Sequence, residues 1–309
     1  MTFSAKDVAD LRQKTGAGMM ECKNALKEAN GDLEKAREIL RQKGLTAAAK
    51  KAEKTTLEGI VGSKLSQDKK SGVIAELNTQ TDFVAKNDLF IELSNITLDL
   101  LLKDNPKTVD QALILKHNNT SLSDLISSRI ATIGENIQLR RFEIFRLGTE
   151  AGVVGTYIHP VGKKIGVLIK LVTQSAIANG AELEELARNI AMHIAASQPQ
   201  PEYIDKSQVP SEIIENEKRI EMGKEDLKKK PKEIAEKIVL GRLDKVLAQR
   251  CLMDQPYIKD QATTIEKLLK DTGKKLNTTI KVSQFIRYNV GEAVEKPENT
   301  ENKTTVGIS

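Results

Sequence analysis

A chain of 309 residues, 39% hydrophobic and 29% charged, is globular in composition and too long for one small core, so two or three units are expected. No apolar run approaches the roughly 20 residues that a bilayer-spanning helix needs. Met1 to Asp7 contains no apolar leader segment, so a cytoplasmic protein is expected, neither membrane-bound nor secreted.

The net charge of +5 is largely local, since residues 1–55 hold 12 Lys/Arg against 8 Asp/Glu. No aromatics are interleaved there to stack on bases, so direct nucleic-acid binding is not expected. Ala5 to about Lys14 has helical periodicity, with Ser4 as N-cap and Val8 and Leu11 on one side. Thr15-Gly16-Ala17-Gly18 stops it. A second helix starts near Met19, carries Cys22, Leu26 and Ala29, and ends at Asn30-Gly31. Asp32 caps a third, with Leu33, Ala36, Ile39 and Leu40 inward and Gly44 as its stop. So short a unit lies near the lower size limit for folding alone, and such modules often serve in docking. Residues 1–55 are therefore expected to be a three-helix docking domain with a linker from Ala47 to Lys54.

From Gly59 the pattern turns to β, and it repeats. Gly59-Ile-Val-Gly-Ser63 returns 93 residues later as Gly152-Val-Val-Gly-Thr156. Gly72-Val-Ile-Ala-Glu-Leu77 returns after 94 as Gly166-Val-Leu-Ile-Lys-Leu171. A long helix follows each pair, Leu89–Lys103 and Leu183–Ala196, and a later strand closes each, Gln138–Phe145 and Phe285–Val290. A hairpin face needs cover, and the helices supply it. The expected fold class is α+β, with a core of two related α+β subdomains at 56–147 and 148–290.

An insertion interrupts the second copy after Pro199, Pro201 and Pro210. Ser211–Leu240 is helical by composition, with 8 basic and 8 acidic residues, and Pro231 divides it. Ile213, Ile214, Ile220, Leu227, Ile234 and Ile238 offer a thin apolar stripe. An inserted antiparallel helical (coiled-coil) arm at about 205–240 is expected. Its balanced charge fits a protein contact or a solvated strut better than RNA. Residues 291–309 form a polar tail with the composition of disorder.

No signature of catalysis emerges: neither phosphate-cradling glycine motif is present, and no nucleophile is paired with a base. His117, His159 and His193 share no metal-ligand spacing, and Cys22 and Cys251 are expected as reduced thiols. His193 lies on an apolar helix face, His159 in an exposed turn before Pro160, and His117 on the surface. No enzyme, cofactor or metal is expected. The stretch that stands out is Asn78 to Asp88, where a strand ends in Thr, Gln and Asp before a helix. Either Asp82 caps that helix with Phe83 in the core behind it, or both are presented to another molecule.

Several ordered motifs resemble the translation elongation factor Ts family. They are Leu11-Arg-Gln-Lys-Thr-Gly-Ala-Gly-Met-Met-Glu-Cys-Lys23, Glu28-Ala-Asn-Gly-Asp32, Thr81-Asp-Phe-Val-Ala85 and His193-Ile-Ala-Ala-Ser197. Pro231 to Lys237 and Asp254-Gln-Pro256 extend the likeness, which runs to about Lys296. The resemblance implies a ubiquitin-associated-like N-terminal domain, a two-subdomain core and a coiled-coil arm. It also implies guanine-nucleotide exchange on elongation factor Tu, bound in its GDP-loaded and nucleotide-free forms.

The resemblance assigns Thr81, Asp82, Phe83 and Val84 to the segment that dislodges the partner's Mg²⁺. It assigns Met19 and Met20 to an N-terminal docking surface, and His159 to a contact near the partner's phosphate-binding helix. Thr79 stands where many members have Cys, and the tail lacks a further C-terminal helix that some members carry. A homodimer within a Tu–Ts assembly is left open. So are two rival readings, a generic interaction scaffold with Phe83 in its core and an RNA-binding translation protein.

Overall fold

A computed structural model describes residues 3–177, 180–228 and 230–293. From residue 294 on, the expected polar tail lies outside the described residues. Three helices open the chain: α1 (Ala5–Thr15), α2 (Met19–Glu28) and α3 (Leu33–Lys51). Ser4 caps α1 reciprocally, accepting from the Asp7 N–H while the Asp7 carboxylate accepts the Ser4 N–H at 2.7 Å. Val8, Leu11, Cys22, Leu26 and Ala36 bury a small apolar cluster between the three.

The first β layer comprises β1 (Glu58–Leu65), β2 (Ser71–Thr79), α4 (Asp82–Ala85), α5 (Asp88–Asp104) and α6 (Val109–Leu113). A miniature hairpin of β3 (Lys116–His117) and β4 (Thr120–Ser121), then α7 (Leu122–Ile133) and β5 (Gln138–Arg146), complete it. The second layer begins with β6 (Ala151–Ile158), β7 (Ile165–Thr173) and α8 (Gly180–Ala196). The insertion follows as α9 (Ser211–Met222), α10 (Glu225–Lys228) and α11 (Lys232–Arg250). A second small hairpin, β8 (Pro256–Tyr257) and β9 (Asp260–Thr264), then precedes α12 (Ile265–Lys275) and β10 (Ile280–Asn289).

Mixed helix and antiparallel sheet make this an α+β protein. The two three-stranded sheets have matching orders, β1-β2-β5 and β6-β7-β10, with the second hairpin strand central in each. Gly59 and Gly152 occupy the same unusual backbone region, φ +146° and +148°. A Cβ at either would lie 2.1 Å from the carbonyl oxygen of Leu77 or Leu171, so only glycine allows the strands to pair there. The small hairpin and helix before each closing strand extend the parallel further than the sequence motifs did.

Alternation along the strands gives each sheet two apolar faces. One face of the first sheet (Ile60, Val73, Ala75, Leu77) packs under α5 and α7; the corresponding face of the second packs under α8 and α12. The other faces meet each other through Val61, Ile74, Phe145, Val154, Leu168 and Tyr288. The contact is reciprocal: Gly72 lies against Val154 and Leu168, and Gly166 against Val61 and Ile74. Buried Glu76 pins the seam. It accepts from Arg141 at 2.6 Å, Arg140 at 3.2 Å, Asn78 at 3.1 Å and the Gly291 N–H at 3.1 Å.

Two expectations are corrected. Gly44 does not stop α3, which continues to Lys51. It is buried where α3 crosses α7, and a Cβ there would sit 3.4 Å from the Ser127 backbone. The glycine serves a close helix crossing, and the start of the supposed linker is helical. The insertion also outruns residue 240, since α11 reaches Arg250. Its seam is closed by Val239, Leu243 and Leu247, whereas Ile220 and Ile234 of the expected stripe are each 50% exposed. Arg250 binds Glu202 through two nitrogens, and the Leu252 N–H donates to the Tyr203 carbonyl at 2.9 Å, tying the arm's exit to its entry.

Candidate functional site

The β1–β2 ladder ends at Thr79, and the chain turns through Gln80 and Thr81 into the single turn of α4. Thr81, not Asp82, is the N-cap: its hydroxyl oxygen accepts from the Val84 N–H. Val84 and Ala85 are buried in the first core, which anchors one side of the turn. Phe83 points the other way and is 81% exposed. The reading of Phe83 as a core residue is therefore overturned.

Asp82 pairs with Lys86 one turn on, at 2.7 Å. The Lys86 hydrogen bond holds its carboxyl below the usual range, with a smaller contribution from the charge of Lys164. Lys164 in turn pairs with Glu58 at the start of β1, and the Val61 N–H donates to the Lys163 carbonyl at 2.7 Å. These contacts bring the β6–β7 turn, which carries His159 and the 75%-exposed Val161, beside the Phe83 segment. His159 itself is half-buried rather than exposed. Its ring meets Tyr157 edge-on, and its backbone N–H donates to the Ile165 carbonyl, closing the turn.

Met19 and Met20, at the start of α2, are 47% and 63% exposed. Met19 lines a cleft of about 500 Å³ together with Leu89, Glu92 and Arg129, so it faces the helix that begins just after Phe83. The cleft is bridged by buried Arg129, which donates to the Gly16 carbonyl at the end of α1 and to Glu92 at 2.7 Å. Ser128 donates to the Thr15 carbonyl at 3.3 Å. The end of α1 thus adds to the α3–α7 crossing in seating the first three helices on α7, and a guanidinium suits its C-terminal carbonyls well.

Of the other histidines, His193 falls outside this surface, whereas His117 lines the same cleft as Met19. His193 is buried under the arm, hydrogen-bonded to Gln255 and Ser197 and to the Ile258 N–H, and burial pushes its pKa down. His117 is half-buried at the β3–β4 hairpin. Cys22 and Cys251 are free and buried. Among the described residues no His/Cys/Asp/Glu cluster is arranged to hold a metal, and no helix is long and apolar enough to cross a membrane.

Two residues escaped the sequence reading. Glu135, in the α7–β5 connection, accepts from the Thr79 and Thr81 hydroxyls and the Thr81 N–H. No local pattern announces a contact across more than fifty residues. Lys86 was passed over as well, although its spacing four residues after Asp82 is a signal that could have found it.

The segment thus presents an apolar tip, Phe83, rimmed by the Asp82–Lys86 and Lys164–Glu58 pairs. Kinship supplies the class. The family model described as Elongation factor TS matches residues 80–292. Proteins named elongation factor Ts are 45% identical over 299 residues in Nostoc sp. and 45% over 300 residues in Nostoc punctiforme. One from Clostridium botulinum is 42% identical over 299 residues, and each alignment covers 96% of this chain and 95% of the relative. The chain belongs to the elongation factor Ts family.

Proposed function

We propose that this chain binds elongation factor Tu and speeds GDP release, with Thr81-Asp82-Phe83-Val84 disturbing the partner's Mg²⁺ and phosphate site. The observation that carries the reading is Phe83, 81% exposed on a turn whose other side is anchored by Val84 and Ala85. A phenyl ring does not ligate Mg²⁺. It acts by wedging between side chains that position the ion's ligands, and the phosphates then repel one another and neighbouring carboxylates.

Magnitudes say the ring does not act alone. Weakening nucleotide about 1000-fold takes about 4 kcal/mol of coupling, whereas burying one Phe yields about 1.5–3 kcal/mol. The remainder comes from a broad docking face: Met19 and Met20 on the N-terminal unit (residues 1–55), and the turn carrying His159 and Val161. The α+β halves at 56–147 and 148–290 hold these elements in register, and the arm offers a further protein contact. Linkage makes the coupling reciprocal, so incoming GTP expels the factor. The chain changes a binding equilibrium's kinetics and makes or breaks no covalent bond.

The test is release of labelled GDP from purified elongation factor Tu. Release should accelerate with added chain and saturate. A rate indifferent to the chain overturns the proposal.

A further inference from the structure

We propose that Glu135 is a positioning residue for the Phe83 tip, fixing its aim from the α7–β5 connection, where β5 starts beside the end of β2. The functional consequence rests on the exchange reading above; the geometry stands without it. One Glu135 oxygen accepts the Thr79 hydroxyl and the Thr81 N–H at 3.0 Å each, and the other accepts the Thr81 hydroxyl at 2.7 Å. Thr79 is fully buried at the last rung of the β1–β2 ladder, whereas Gln80 and Thr81 lie beyond it. The carboxylate therefore takes over where the sheet stops. Thr81 passes the constraint on, because its hydroxyl oxygen also caps α4 by accepting the Val84 N–H. Phe83 is largely in solvent, so its direction is inherited from this backbone rather than from contacts of the ring. Three bonds to one carboxylate, a charge-assisted acceptor, are the side-chain link between the exposed turn and the α7–β5 connection.

Two variants test this. Glu135→Ala removes every bond. In Glu135→Gln the amide oxygen keeps the two bonds made at one oxygen, and the Thr81 hydroxyl can rotate to accept the new N–H. At saturating chain, Glu135→Ala should slow GDP release from elongation factor Tu by about tenfold, the order expected for a lost charge-assisted bond. Glu135→Gln should restore most of the rate. In a Phe83→Ala background, Glu135→Ala should cost nothing further, because a mispositioned tip matters only when the tip is present. In the free chain, amide hydrogen exchange over residues 81–85 should quicken in Glu135→Ala while the interior of β2 stays protected.

A full release rate in Glu135→Ala overturns the proposal, as does an equal fold-loss with and without Phe83, which would mark a purely structural residue. If the wild-type chain fails to act on elongation factor Tu, the exchange reading falls. The amide-exchange comparison then decides by itself whether Glu135 holds the tip: unchanged exchange over 81–85 sinks it.

Discussion

Glu76→Ala probes the seam on which the surface is assembled. The Glu76 side chain is wholly buried and receives two guanidiniums, one side-chain amide and the Gly291 N–H. Because Arg140 and Arg141 come from β5 and Gly291 follows β10, the carboxylate joins both sheets. Removing one partner of a buried ion pair costs about 3–5 kcal/mol, chiefly because the surviving charge is left uncompensated. Here the Arg140 and Arg141 side chains retain 26% and 18% exposure, so water reaches them in part. That places the expected loss at the low end, about 3 kcal/mol. Glu76→Gln should lose less, since it keeps one acceptor but turns an N–H toward a guanidinium. Urea unfolding measures the loss, and amide exchange near residues 288–291 should rise with it. A Glu76→Ala change below about 0.5 kcal/mol, the range of an ordinary surface substitution, would refute the assigned role.

Two further outcomes follow from local geometry. Gly152→Ala should cost about 2–4 kcal/mol, because its Cβ would meet the Leu171 carbonyl at 2.1 Å and the strand must move. Gly148→Ala, at φ +60° with nothing within 4 Å of its Cβ, should cost only about 1–2 kcal/mol; equal melting temperatures for the two would contradict this. His193 supplies a pH dependence. The Ile258 N–H donates to Nδ1 and Nε2 faces the Gln255 carbonyl oxygen, so the ring is neutral with its proton on Nε2. Burial lowers its pKa below the ordinary 6.5. As pH falls through 6.5 the unfolded chain takes the proton first, so the stability held above that pH is progressively lost. His193→Gln should flatten the decline between about pH 7 and 5; an identical slope in the variant would exclude His193 as its source.

Much of this was written in local sequence. Caps such as Ser4 and Asp32, and glycines at 59, 72, 152 and 166, act over a few residues or mark a repeat, so composition and spacing reveal them. What escaped depends on distant partners. Gly44 has the chemistry of a helix stop, but the crossing of α7 recruits it for close approach. Ile220 and Ile234 share helical spacing with buried residues yet face solvent, because the seam follows Val239, Leu243 and Leu247. Thr81 displaced Asp82 as the cap, which left Asp82 free to pair with Lys86. The exposure of Phe83 could not be decided from the sequence, since a phenyl ring beside a capping residue suits a core as well as a surface. Its neighbours Val84 and Ala85 fill the core instead.

The most direct test of the account is GDP release from elongation factor Tu driven by Phe83→Ala, with thermal unfolding measured on the same preparation. A ring 81% exposed contributes little to its own fold, so stability should change by no more than about 0.5 kcal/mol. Release at saturating chain should fall about 10- to 150-fold, the equivalent of the 1.5–3 kcal/mol that burying a phenyl ring in the partner supplies. An undiminished release rate would contradict the account.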